Sequence, residues 1–68
     1  MASRAETFRR LRARSDDHEA VARRHFLAAV QYRYVGDIWM AEQIEYLALA
    51  RLTEARDMAA TAADVAGF

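Results

Sequence analysis

The chain has no proline, and its only glycines are Gly36 and Gly67, so its helices have one internal place to stop. Gly36 and Asp37 divide an apolar stretch running from His25 to Ala50. Glycine closes a helix by adopting positive φ just past its last turn. An aspartate placed next can cap the helix that follows by accepting from its first free backbone N–H groups. Alanine is abundant and β-branched residues are few, which favours helix over strand throughout. The chain therefore reads as all-α: a helix from about Asp17 to Val35 folds back, through one tight turn, on another from about Ile38 to Asp64. At about 1.5 Å per residue these are roughly 28 and 40 Å long.

A shorter element precedes this hairpin. Ser3 and Glu6 have the spacing of a capping box, predicting a helix to about Arg14. Ser15-Asp16-Asp17 then reads as a break, because Asp16 and Glu19 form a second capping box and acidic residues suit a helix N-terminus. The expected organisation is a basic N-terminal helical arm over residues 1–15 and a helical hairpin over residues 16–68. The arm is too short to be stable alone, so it either docks through Phe8 and Leu11 or frays. The longer last helix needs the arm, another subunit or nothing at all against its far end.

The helix before the turn carries two apolar stripes where a surface helix has one. Val21, His25, Ala28, Ala29, Tyr32 and Val35 fall on one side, and Phe26, Leu27, Val30 and Tyr34 on nearly the opposite side. One stripe is expected inside the hairpin and the other at an interface. The last helix shows an inner line of Ala41, Ile44, Ala48, Leu52, Ala55, Ala59 and Ala62. With 68 residues and no cysteine, the chain has a small core and no disulfide or thiolate-metal staple. Self-association remains, and the expected form is a homodimer, a four-helix bundle built from two hairpins. Phe26, Val30, Tyr34, Trp39 and Tyr46 are the candidate subunit or partner interface, since aromatic anchors suit such surfaces, the alternative being a core that the arm covers through Phe8 and Leu11.

Net charge is zero, but residues 1–36 hold eight arginines against four acidic residues, and residues 37–68 hold two against six. Folding the chain back sets a half of net +4 beside a half of net −4, suited to ion pairing within and between subunits. Arg9, Arg10, Arg12 and Arg14 form the densest cationic cluster. They read as a solvated basic helix face, with phosphate binding as the functional alternative. No apolar run reaches the ~20 residues of a membrane span, and the first residues lack an apolar signal core, so a soluble cytoplasmic protein is expected.

Ala29, Tyr32, Gly36, Asp37, Ala41 and Ala48 stand at the spacing of small, aromatic, turn, small and small positions in one tetratricopeptide-type repeat, which the hairpin resembles. Two positions depart from it: Glu45 replaces the large aromatic late in the second helix, and Thr53 replaces the terminal proline. The likeness covers about half the chain, in one copy. It implies a protein-interaction scaffold that needs neighbours, because one repeat cannot bury its own core.

Chemistry is sparse. His18 and His25 lie seven residues apart, roughly 10 Å along one helix face, too far to share a metal ion. They read as a cap histidine and a hydrogen-bonded core histidine. Glu42 and Glu45 share a face, but carboxylate-bridged helical bundles use Glu-x-x-His pairs and this chain has Glu-x-x-Glu. No catalytic residue, metal site or cofactor is expected, and the chain reads as non-enzymatic. The leading function is a protein–protein interaction or assembly module. A small DNA-associated regulator using the arginine arm comes second, and a dimeric metal-binding bundle third.

Overall fold

A computed structural model describes residues 3–67 and shows two antiparallel helices, α1 (Arg4–Tyr34) and α2 (Ile38–Ala66). Ser3 caps α1 by accepting from the Glu6 N–H at 3.1 Å, as the sequence predicts. At the other end Gly36 takes φ +86°. The Gly36 N–H donates to the Arg33 carbonyl and the Asp37 N–H to the Tyr32 carbonyl. This paired closure ends a helix on a left-handed glycine. Asp37 Oδ1 in turn accepts from the Met40 N–H at 3.1 Å and starts α2. The tight turn is thus two interlocked caps sharing Asp37. Gly67, at φ +81°, ends α2 in the same left-handed conformation.

The expected break at Ser15-Asp16-Asp17 does not occur: α1 runs unbroken through it for 31 residues. Ser15 is buried, and its hydroxyl donates to the Ala55 carbonyl on the opposite helix at 2.8 Å. A serine satisfied across the helix pair no longer competes for its own backbone, so the local capping signal is overridden. The predicted arm is therefore the outer half of α1. It lies along the far half of α2, and the two helices are nearly equal in length.

Ser15, Ala22 and Ala29 are buried on α1, and Ala41, Ala48, Ala55 and Ala62 on α2. Each set steps by seven, the repeat of a left-handed coiled seam. The Ser15–Ala55 bond fixes the antiparallel register, and steps of seven from it set Ala22 against Ala48 and Ala29 against Ala41. Small side chains facing each other at every step let the backbones approach closely. Neither expected stripe of α1 is centred on the seam. The contact line runs between them, and only Ala29 belongs to both a stripe and the seam.

The cost of this seam is a small core. Among the described residues no large side chain is fully buried. Each alanine methyl contributes only on the order of 0.8 kcal/mol. The molecule measures 50 × 17 × 13 Å, so it is one helix thick, and a domain normally needs a second layer.

Candidate interaction surface

Contacts between the helices label the two broad faces of the hairpin. On the first, Arg33 bridges to Glu45 with both ends engaged, Nε to Oε1 at 2.6 Å and Nη2 to Oε2 at 2.9 Å. This pairing pulls the Glu45 carboxyl below the usual glutamate range and raises Arg33; the hydrogen bond is the larger cause in both. Steps of three, four and seven from this bridge place Phe26 and Val30 of α1, with Ile38, Leu49 and Leu52 of α2, on the same face. Phe26, Leu27, Val30 and Arg23 enclose a shallow, open and almost wholly apolar recess there.

The second face is labelled by His18. Its Nδ1 lies 3.0 Å from Arg51 Nη1 and 3.2 Å from Glu54 Oε2. One nitrogen cannot serve both at once: neutral Nδ1 accepts from Arg51, whereas Nδ1–H donates to Glu54. Arg14, Asp17 and Val21 complete the shallow cleft around it. His18 is therefore a mid-helix cross-link, not the cap residue expected, because no helix begins there. Val21, His25 and Ile44 continue this face and are half-buried, with Leu47 more open beside them.

The five residues expected at an interface are distributed over two surfaces. Phe26 and Val30 share the Arg33–Glu45 face. Trp39 and Tyr46 stand nine residues before Ala48 and Ala55, about half a rotation from the seam, and so occupy the outer side of α2. They are 67% and 74% exposed, and Tyr34, at the end of α1, is 91% exposed. Ile38, Leu47 and Leu49, outside that candidate set, are also exposed. Their signal was available in their offset from the alanine heptads rather than in their hydrophobicity. Among the described residues, the exposed large apolar side chains all fall between Leu27 and Leu49, on both faces and on the outer side of α2. The half of the hairpin next to the turn thus exposes large apolar side chains on several sides, among polar ones such as Gln31 and Glu42, whereas the far half exposes none among the described residues.

Arg9, Arg10, Arg12 and Arg14 are all exposed, but helical geometry separates them. Arg9 and Arg12 flank one side of α1, and Arg10 and Arg14 the other. Glu45 is occupied by Arg33, and among the described residues no three His, Asp, Glu or Cys side chains converge closely enough to hold a metal ion. None of the described helices is long and apolar enough to cross a membrane. No family model, curated protein or solved structure matches the chain.

Proposed function

We propose that the protein is a non-enzymatic protein–protein interaction and assembly module that acts as a homo-oligomer. The observation that carries this reading is the apolar belt from Leu27 to Leu49 around a hairpin one helix thick. Large apolar side chains gathered on the surface of so thin a hairpin favour a partner that covers them. The alanine seam cannot supply that cover, since its side chains are the smallest available. The resemblance to one tetratricopeptide-type repeat points to the same class of function.

Solution mass and thermal melts over a wide concentration range test it. Folding coupled to association makes the melting temperature rise with protein concentration. A monomeric mass at tens of micromolar, with a melting temperature independent of concentration, overturns the reading.

A further inference from the structure

We propose that two copies pair through the Arg33–Glu45 face as a four-helix bundle with both turns at the same end, each α1 lying beside the partner's α2. The inference rests on the homo-oligomer reading and adds the face, the direction and the neighbours.

Two independent features select this arrangement. The first is charge. α1 carries eight arginines against four acidic residues, net +4, while Asp37 and α2 together carry two against six, net −4. Two hairpins stacked face to face about a two-fold axis have two choices. An axis perpendicular to the helices puts α1 on α1 and α2 on α2, opposing like charges along the whole length. An axis parallel to the helices puts each α1 on the partner's α2, opposing +4 to −4 twice. Both arrangements leave every neighbouring helix pair antiparallel, so the helix dipoles are satisfied in either and the net charges decide.

The second feature is the position of the apolar belt. It occupies only the half of the 50 Å hairpin next to the turn. Turns at opposite ends and full overlap would lay each apolar half on the partner's polar, arginine-rich half. Turns at the same end lay belt on belt and leave both polar halves together, where their opposite charges meet. Charge and hydrophobicity thus give one answer.

The face follows from what each broad side exposes. Val30, Ile38 and Leu49 stand open on the Arg33–Glu45 side around the recess at Phe26. Arg33 and Glu45 within that patch are already paired, and Glu42 beside them lies within charge range of Arg33. The opposite side has Arg51 and Glu54 competing for His18; Val21, His25 and Ile44 there are half-buried, and its exposed apolar residues, Leu47, Tyr32 and Val35, stand apart from any recess. A face 50 Å long and 17 Å wide has a plan area on the order of 800 Å², what one partner contributes to a standard specific interface.

The chain has no cysteine, so single spin labels can be placed at will. Ala13 and Gln31 are exposed on the outer side of α1, eighteen residues and five full turns apart. Dipolar distances between subunits are measured for Ala13→Cys and for Gln31→Cys. Same-end pairing gives similar distances at both sites. A Gln31 distance longer than the Ala13 distance means opposite ends, and a much shorter one means overlap of the turn halves alone; either overturns the arrangement while the homo-oligomer stands. No intersubunit signal at concentrations where the labelled chain is folded removes the homo-oligomer itself. The face is tested separately, because Leu49 and Leu47 are similarly exposed on opposite sides. Leu49→Glu should lower the dimer's association constant at least tenfold and Leu47→Glu should leave it nearly unchanged. The reverse result, or equal effects, overturns the choice of face.

Discussion

The Ser15 hydroxyl donates to the Ala55 carbonyl oxygen across the hairpin at 2.8 Å, and both residues are buried. It is a cross-helix bond within the buried seam, and it stands where the sequence suggested that a helix should end. Its importance is steric as much as polar. A serine is small enough to occupy an alanine position in a close helix pair.

Substitutions along the seam should therefore divide by size. Ser15→Ala loses one hydrogen bond, about 1 kcal/mol net, and recovers up to ~0.7 kcal/mol through better helix propensity. Its stability should lie within about 1 kcal/mol of the parent. Ala48→Leu forces the helices apart and should cost about 1–3 kcal/mol. Chemical denaturation at matched protein concentration measures both. A leucine at position 48 tolerated as well as alanine at 15 would mean that the helices do not meet along this line.

Much of the fold was legible because it depends on local chemistry. Gly36 and Asp37 are read as turn and cap, Ser3 as a cap, and the alanines of α2 as an inner line, and each has a backbone partner within a few residues. Ser15 was not legible. Serine followed by two aspartates carries a strong local capping signal, and only an alanine forty residues away shows that it does not apply. The seam of α1 escaped for a related reason: hydrophobicity gives weight to large side chains, whereas a close helix pair is defined by small ones. Ala22 lies between two prominent stripes and Ala29 at the edge of one, and the large side chains of the stripes flank the seam rather than fill it. Of the candidate interface, its apolar character was readable from the residues. Its spread over two surfaces was not, since that depends on which side of each helix the seam takes.

Stability should also depend on pH through Glu45. The Arg33 hydrogen bond and charge hold the folded-state pKa of Glu45 below its unfolded value. Between those two values the unfolded chain binds more protons, so stability rises with pH across that interval. The contribution is complete above the ordinary glutamate range and is lost as pH falls through the lowered value. Arg33 is raised further above any working pH and adds no slope there. Glu45→Gln should remove this part of the acid-side dependence, and high salt should weaken it in the parent because the pair is partly exposed. An unchanged acid slope in Glu45→Gln would show that the bridge does not persist in solution.

Metal content separates the assembly module from a metal-binding bundle. His25, Glu42 and Glu45 are the residues a carboxylate-histidine site would draw on. Arg33 already takes both oxygens of Glu45, and a metal ion would have to displace a guanidinium to reach it. We expect untagged protein prepared without chelators to hold no stoichiometric metal by elemental analysis. About one metal ion per subunit would promote the metal-binding bundle over the assembly module.

The arginines of the outer half of α1 distinguish the assembly module from a DNA-associated regulator. Each phosphate contact on duplex DNA lowers the logarithm of affinity by about 0.9 per logarithm of salt. One straight helix cannot turn Arg9, Arg10, Arg12 and Arg14 to the same duplex, because Arg9 and Arg12 lie across the helix from Arg10 and Arg14. About two contacts per chain are then the most this cluster can offer, with Asp16 and Asp17 one turn further along to oppose them. We therefore expect weak or no binding to duplex DNA at physiological salt. Replacing all four arginines by glutamine should also leave the oligomer's size unchanged, because the apolar belt begins a dozen residues further along. Sub-micromolar, salt-sensitive binding that disappears on this replacement would reverse the order of the two readings, since four arginines that act together on one duplex require α1 to unwind between Arg9 and Arg14.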